Sequence, residues 1–565
     1  MKNLAVALVL LIVLTDGTAA QTKSTQPQTI TGLTAGMLRH EGFIPFYWDQ
    51  KAGKVWLEVS SFRTEFLYVT YLSRGLGSND VGLDRGQISS SHVVYLRRVG
   101  PKVLMMEKNY AYRASSGDPA QVLAVDESFA QSTLWGFEVA AEESGRVLLD
   151  ATAFLLRDAG DVIGQLSRSE QGRFSLEASR SALDPDRTRS FPKNSEFEAQ
   201  LTFTADTAGY FVRSVAPTAT AFTIGQHHSF VELPEAGYKP RRNDPRAGFF
   251  GISYVDHSTP LNESMINHFI SRHRLTKITP GPGPSRVVEP IVYYVDRGAP
   301  EPMRTALVEG AAWWNEAFEA AGYIDAFQVK LLPEDADPLD LRYNMIQWVH
   351  RATRGWSYGY GVIDPRTGEI LKGHVTLGSL RVRQDYLIAE GMLNPYDDGN
   401  DTDPRMQELS LARLRQLSAH EVGHTLGLQH NFSASTLGRE SVMDYPAPLV
   451  TLTSEGEIDV SNAYDVGVGA WDIAAIVYGY REFSSGANED SALAAHLDSM
   501  YISGLRFGSD QDARSIGGAN PYAHLWDNGT NPIDELDRLR DLRRVMLNNF
   551  SEQTIRPGTP MVILE

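Results

Sequence analysis

The chain has 565 residues, enough for roughly two to four domains that each bury a core of their own. Its formal net charge of −18 argues against a nucleic-acid partner, because the phosphate backbone would repel it. The chain contains no cysteine, which excludes disulfide bonds, so its stability has to come from core packing and from any bound metal.

The N-terminus is typical of a signal peptide over residues 1–20. Lys2 supplies the positive start, and the apolar run Leu4–Leu14 is too short to span a bilayer. Thr18–Ala20 then offers small residues for cleavage. We therefore expect an extracytoplasmic protein, secreted or periplasmic, with no stable membrane span after signal cleavage; the alternative is an uncleaved membrane anchor.

A flexible N-terminal segment, residues 21–41, is predicted to precede a β-rich antiparallel domain over residues 42–245. The segments of this domain alternate polar and apolar residues, are rich in aromatic and β-branched side chains, and are separated by turn residues. The predicted strands are Phe43–Trp48, Lys54–Val59, Glu65–Leu72, Val93–Val99, Lys102–Asn109, Val147–Leu156 and Glu198–Thr204. No catalytic constellation stands out here, and the sequence does not predict a role for the domain.

Residues 246–285 are predicted to be a connector, because Pro280–Ser285 alternates proline and glycine and cannot form a helix. Strand and helix patterns alternate after it, which predicts an α+β domain over residues 286–485. The predicted strands are Pro290–Asp296, Phe327–Leu332, Met345–His350, Tyr358–Ile363 and Ile370–Leu377, and the predicted helices include Pro302–Ala321 and Asp465–Tyr480.

An acidic loop precedes the longest predicted helix. It contains Asp397, Asp398, Asp401 and Asp403, and carboxylate oxygens are ligands that Ca²⁺ prefers. Since the spacing does not match an EF-hand, a calcium site and an ordinary solvated loop both stay open. Asp403 also fits the N-cap of the helix that follows, predicted over residues 404–426.

That helix ends in a sequence with the spacing of a catalytic zinc site. His420 and His424 lie one helical turn apart on one face, so both imidazoles can reach one cation, and Glu421 flanks that face. Gly427 can adopt a positive φ and end the helix sharply, which brings His430 back as a third ligand. Three protein ligands leave one position open, as in catalytic zinc sites. The sequence therefore predicts one Zn²⁺ on three histidines, with Glu421 as general base for a zinc-activated water.

Shortly after this motif, Ser441–Pro446 has the form of a Met-turn centred on Met443. The motif and the turn together make the chain resemble the metzincin clan of zinc metallopeptidases. It is most similar to the bacterial secreted Met-zincin-like metalloproteases that carry a β-rich N-terminal region. The resemblance implies a catalytic domain with a twisted mixed sheet and an active-site helix. It also implies that Met443 forms the hydrophobic base beneath the metal. By the same resemblance the three histidines are the metal ligands, Glu421 is the base and Gly427 forms the turn.

The resemblance implies two further elements of the site. In some metzincins a tyrosine two residues after the methionine binds the metal and stabilises the oxyanion. Tyr445 holds that position here, and the alternative is a core tyrosine that holds the turn. One strand of the clan's sheet forms the upper rim of the cleft and pairs with extended substrate. The candidate edge strand consists of Tyr358, Gly359, Tyr360, Gly361, Val362 and Ile363.

These features predict a secreted zinc-dependent endopeptidase that acts on peptide or protein substrates. A catalytically idle surface binding protein is one alternative, although the retained Glu421 argues against it. A zinc amidase that acts on cell-wall peptides is another. Residues 486–565 are predicted to be a mixed, partly helical extension whose end lacks an evident terminating signal, as in a truncated chain. The sequence does not predict substrate preference or oligomeric state.

Overall fold

The computed structural model describes residues 28–396, 403–518 and 520–565. The predicted signal peptide, residues 1–20, lies outside the described residues. Across the part of the chain that is described, no helix combines the length and the apolar character needed to cross a bilayer.

The N-terminal part of the chain is β-rich, as predicted. Its helices are α1 (Ile30–Leu33), α2 (Pro119–Ser128), α3 (Thr152–Leu155), α4 (Val162–Arg168) and α5 (Tyr210–Val215). Its strands are β1 (Leu38–His40), β2 (Phe46–Asp49), β3 (Lys54–Val59), β4 (Glu65–Arg74), β5 (Ile88–Val99), β6 (Lys102–Glu107), β7 (Tyr112–Arg113), β8 (Ser132–Glu143), β9 (Arg146–Asp150), β10 (Ser175–Leu176), β11 (Ala182–Leu183), β12 (Arg189–Ser190), β13 (Asn194–Thr204) and β14 (Ala221–Glu232). Thirteen of them form one sheet in the order β1-β2-β3-β9-β8-β6-β5-β4-β14-β13-β10, with β11 and β12 also paired to β13. Its strand pairs are antiparallel.

Strand β4 is buried along most of its length because both of its faces are covered. Successive side chains of a strand point to opposite faces of the sheet. Phe66 and Tyr68 therefore pack into the core of the β-rich region, whereas Leu67 and Val69 pack into a second cluster with Val362 of the following part of the chain. This second cluster joins the β-rich region to the sheet that carries the candidate site.

Two predictions in this region need correction. The described part of the predicted flexible segment, residues 21–41, holds α1 and β1, since Ile30 is buried and β1 pairs with β2. The strand predicted over Val147–Leu156 ends at Asp150. A helical turn follows, because the Asp150 carboxylate accepts a hydrogen bond from the Thr152 N–H at 3.0 Å.

The next part of the chain is built around a mixed sheet. Its strands are β15 (Gly251–Asp256), β16 (Ile266–Ile270), β17 (Arg272–His273), β18 (Ser285–Arg286), β19 (Ile291–Val295), β20 (Tyr323–Ile324), β21 (Phe327–Leu331), β22 (Asn344–Val349), β23 (Tyr358–Ile363) and β24 (Glu369–Gly378). Its helices are α6 (Met303–Ala312), α7 (Trp314–Ala320), α8 (Leu380–Leu393) and α9 (Pro404–Thr425). The main sheet has the order β17-β24-β22-β19-β21 with parallel neighbours, and β23 pairs antiparallel with β24. The mixed α+β class is therefore confirmed.

The segment predicted as a connector, residues 246–285, is instead part of the folded structure. It supplies β15, β16 and β17: β15 pairs with β16 and β7, and β17 pairs in parallel with β24. Phe249 and Ile270 are buried in the same core as helix α9. The proline- and glycine-rich end of the segment is held by Lys277, whose ammonium donates to the carbonyl oxygens of Gly281 and Gly283.

The C-terminal part is mostly helical. It contains β25 (Thr451–Leu452), β26 (Ile458–Asp459), α10 (Ala470–Tyr480), α11 (Glu489–Ile502), α12 (Asp510–Ala513) and α13 (Pro532–Asn549). Trp471, Ile476 and Leu493 of α10 and α11 belong to the core that also contains Leu414 of α9. The C-terminal extension is thus packed onto the same core as the candidate site.

Candidate metal centre

Helix α9 is fixed by contacts at both ends. At its start the Asp403 carboxylate caps the helix by accepting from the Arg405 N–H at 2.9 Å, as predicted. Near its end the Trp314 indole donates to the Ala419 carbonyl at 2.8 Å, and the Ser418 hydroxyl donates to a carbonyl of α6 at 2.8 Å. These contacts define the position of the turn that follows immediately.

The three predicted histidines meet at the end of α9. One ring nitrogen from each of His420, His424 and His430 lies within 4.8 Å of the other two. The Nε2 atoms of His424 and His430 are 3.2 Å apart. Within the described ranges, these three residues are the group of side chains arranged to hold a metal ion.

The other nitrogen of each ring already has an acceptor. Nδ1 of His420 donates to the Val442 carbonyl at 2.7 Å, and Nδ1 of His424 donates to the Leu428 carbonyl at 2.8 Å. Nδ1 of His430 donates to Asp510 Oδ2 at 2.6 Å. Carbonyl and carboxylate oxygens only accept, so each neutral ring carries its proton on Nδ1 and a lone pair on Nε2.

This arrangement fits zinc. Two lone pairs 3.2 Å apart on His424 and His430 repel each other unless a cation lies between them. Tetrahedral zinc with Zn–N bonds of about 2.0–2.1 Å places two ligand nitrogens about 3.3 Å apart. Burial lowers the pKa of His420 well below its usual value and that of His424 to about 3, with the neighbouring histidine adding to the effect. Both rings are therefore neutral at physiological pH, which is the form that binds metals.

The turn after α9 depends on Gly427. This residue has φ +106°, and a Cβ added there would collide with the carbonyl oxygen of Ser271 in the segment between β16 and β17. The Leu428 N–H closes the turn by donating to the Gly423 carbonyl at 3.0 Å. Gly427 thus takes the predicted position and lets the chain return with His430.

The Met-turn lies beneath α9. Met443 is fully buried, and a Cβ added to Gly423 would collide with its sulfur. The turn is held by Asp472 of α10, which accepts from the Ser441 hydroxyl at 2.6 Å and the Val442 N–H at 2.7 Å. Burial raises the pKa of Asp472 to about 7. Since the Val442 carbonyl also accepts from Nδ1 of His420, Asp472 helps to position the His420 ring through the turn.

Glu421 lies next to the histidine cluster and is itself buried, with 4 % of its surface exposed. Burial raises the pKa of its carboxyl to about 8, against the opposing effect of the Arg413 cation. A carboxyl group whose pKa lies near neutrality is suited both to accept a proton and to return it.

Tyr445 is close to the histidines, as predicted. Its ring centroid is 5.4 Å from that of His420 and 4.6 Å from that of His430. Two residues of the C-terminal extension also contact the ring: Trp526 stacks on it at 5.1 Å, and the Arg514 guanidinium lies 5.4 Å from its centroid. Sequence reasoning missed both contacts, because neither residue belongs to a motif.

The candidate edge strand, β23, has the predicted bounds and passes over α9. A Cβ added to Gly359 would collide with the Glu421 carbonyl oxygen, so glycine allows strand and helix to approach closely. Tyr360 is 50 % exposed, whereas Tyr358 donates its hydroxyl hydrogen to Asp84 of the β-rich region at 3.0 Å. Pairing with β24 accounts for one edge of β23, and no other strand of the described chain pairs with it.

The predicted calcium site stays a prediction. Asp397, Asp398 and Asp401 lie outside the described residues. Asp403 is occupied as the cap of α9 and by an ion pair with Arg405 at 2.6 Å.

Two family models match the chain. The model described as Met-zincin matches residues 402–565, and a domain of unknown function (DUF5117) matches residues 86–278. The comparison with curated proteins gives no match. The Met-zincin match contains the three histidines and the Met-turn and confirms the resemblance to that family. It also extends through the C-terminal extension, beyond the predicted domain end at residue 485.

Proposed function

We propose that this chain is a zinc-dependent endopeptidase in which Glu421 is the general base. The observation that carries the proposal is the convergence of three Nε2 lone pairs beside a buried carboxyl group, within a segment that matches the Met-zincin model. The match supports a zinc metallopeptidase in general. Endopeptidase activity and the role of Glu421 are the further steps of the proposal.

Each residue of the site has a separate role in this mechanism. His420, His424 and His430 would hold zinc through Nε2. When bound, zinc acts as a Lewis acid that polarises the scissile carbonyl and lowers the pKa of water. Beside the metal, the Glu421 carboxyl would be held in its charged form. The Glu421 carboxylate accepts a proton from the attacking water and delivers it to the leaving amine. The Tyr445 hydroxyl donates a hydrogen bond to the oxyanion.

The substrate lies along β23 in this proposal. An extended peptide pairs with the backbone N–H and C=O groups along the open edge of Tyr358–Ile363. Because these groups are the same in every peptide, such an edge binds many sequences with modest selectivity.

The catalytic unit is a metzincin-type domain formed by the mixed sheet and α9. We extend it from the predicted residues 286–485 into the C-terminal extension, because Asp510 and Trp526 contact the site.

The test is cleavage of a diverse peptide library by the purified protein, with the products identified by mass spectrometry. Peptide cross-links of the bacterial cell wall are included as a second class of substrate. Internal cuts in ordinary peptides support an endopeptidase, and cuts confined to cell-wall peptides support the amidase alternative. Zinc binding without any cleavage would support the idle binding protein. Secretion is tested separately, by N-terminal sequencing of exported protein, which should start at Gln21.

Removing the metal is expected to abolish cleavage and to lower thermal stability. Zinc that binds only the folded state stabilises it by about 4 kcal/mol when its free concentration is a thousand times its Kd. Dialysis against a chelator, followed by titration with zinc, should restore activity at one equivalent and raise Tm in parallel. Full activity of protein that elemental analysis finds free of metal would contradict the zinc assignment.

Replacing Tyr445 by phenylalanine is expected to lower kcat by about 10²-fold, because one donor to the oxyanion is lost. The phenyl ring keeps its stacking on Trp526, so the turn and the zinc content should be unchanged. Steady-state kinetics on one peptide substrate measures the effect. An unchanged kcat would assign Tyr445 to the alternative role, that of a core tyrosine that holds the turn.

A further inference from the structure

We propose that Asp510, in the C-terminal extension, is a positioning residue of the metal centre that fixes the ring of His430 for metal binding. The inference rests on the proposed function, because it concerns the same site. It goes beyond the zinc motif, since Asp510 lies 80 residues after His430.

His430 differs from the other two histidines in how its ring is held. His420 and His424 lie on α9 and donate from Nδ1 to backbone carbonyl oxygens. His430 follows the helix on irregular backbone, and its Nδ1 donates to a side-chain carboxylate at 2.6 Å. The third ring therefore depends on a residue from a distant part of the chain for its orientation.

Asp510 is itself held in place. Its other oxygen, Oδ1, accepts from the Arg514 guanidinium, one turn further along the chain. The same guanidinium lies against the rings of Phe432 and Tyr445. One carboxylate thus connects a metal-binding ring on one side with a cation packed beside the site on the other.

The residue after His430 attaches the extension to the site. The Asn431 side chain donates to the Arg506 carbonyl at 2.9 Å and accepts from the Gly508 N–H at 3.1 Å. The Phe432 N–H donates to the Gly508 carbonyl at 2.7 Å. Asn431 is fully buried, so this pairing lies inside the protein. It places Asp510, two residues after Gly508, against the His430 ring.

The chemistry of this contact favours metal binding. A carboxylate that accepts the Nδ1 hydrogen fixes the tautomer with the lone pair on Nε2 and makes that lone pair more basic. Bonds to a charged acceptor are roughly twice as strong as those to a neutral one. Loss of such a supporting carboxylate typically weakens metal affinity by about 10–100-fold.

The experiment compares Asp510→Asn with Asp512→Asn in the full chain. Asp512 lies in the same short helix, and its carboxylate caps that helix through the Ser509 N–H instead of contacting a histidine. Zinc affinity is measured by competition with a chromophoric chelator, and zinc release by stopped flow. Melting of the zinc-free proteins tests whether the fold is retained.

We expect Asp510→Asn to bind zinc about 10–100-fold more weakly and to release it faster, with an unchanged Tm of the zinc-free protein. Asp512→Asn should bind zinc within about twofold of wild type. If Asp510→Asn lowers the zinc-free Tm, Arg514→Gln replaces it, since that exposed change removes the cation that holds the Asp510 carboxylate but leaves the carboxylate itself in place. For Arg514→Gln we expect a smaller loss of zinc affinity than for Asp510→Asn.

Zinc affinity within about twofold of wild type in Asp510→Asn, or an equal loss in Asp512→Asn, would overturn the inference. In both cases the wild type still binds zinc and cleaves peptides, so the proposed function stands. A wild-type protein that binds no zinc would overturn the proposed function, and the inference with it.

Discussion

Glu421→Gln is expected to keep zinc bound and to lower kcat by about 10²–10⁴-fold, the range typical of general acid–base catalysis. Glutamine has nearly the same shape as glutamate, and the buried site without metal favours a neutral side chain here, because burial raises the pKa of Glu421 to about 8. The amide cannot accept the proton of the attacking water. Initial rates on a fluorogenic peptide and elemental analysis of the same samples measure the two quantities.

The matched control for this variant is Glu408→Gln. Glu408 lies on the same helix but is exposed, so kcat should stay within about twofold of wild type. If Glu421→Gln retained wild-type turnover with zinc bound, another group would have to be the base. A loss of zinc in this variant would instead show that the carboxyl group supports the metal.

Removing the Asp84 carboxylate is expected to destabilise the protein by about 3–5 kcal/mol, as for other broken buried ion pairs. Asp84 of the β-rich region accepts from the Arg351 guanidinium at 2.9 and 2.8 Å, and the side chains are 7 % and 2 % exposed. In Asp84→Ala the Arg351 cation stays buried without its carboxylate, and Tyr358 loses its acceptor. Denaturant unfolding of the zinc-loaded variant and wild type measures the difference.

The control is Asp80→Ala, in the same loop. Asp80 is exposed and contacts Thr353 at 3.2 Å, so the change should cost less than about 0.5 kcal/mol. The double variant Asp84→Leu with Arg351→Met should recover much of the loss, because an apolar pair avoids the unpaired cation. A loss below about 1 kcal/mol in Asp84→Ala would mean that water reaches the guanidinium and that the pair is weak.

The cluster of three histidines could be predicted because its residues are close in sequence. Helix geometry converts the four-residue spacing of His420 and His424 into a shared face, and one glycine returns His430 to it. The supporting carboxylates could not be predicted in the same way. Asp510 and Asp84 are 80 and 267 residues away from their partners in the sequence. Nothing in the sequence around either aspartate indicates that partner.

Helix α8 shows a second limit of sequence patterns. Its buried face includes Asp385, which pairs with Arg381 one turn before it at 2.9 Å, so a charged pair interrupts the apolar stripe.

The helix predicted over Pro302–Ala321 shows a third limit. It breaks into α6 and α7 at Trp313, whose N–H donates to the Gly310 carbonyl three residues back. Both the buried charged pair and the helix break depend on tertiary packing, which the spacing of apolar residues in the sequence does not indicate.

The double coverage of β4 has a consequence for how the molecule unfolds. Leu67 and Val69 share a hydrophobic cluster with Val362, so the large antiparallel sheet and the strand above α9 shield each other from water. Separating them would expose apolar surface on both sides, which couples their unfolding into one cooperative transition. If a protease cuts an exposed loop between them, the two fragments should therefore stay associated until denaturant is added.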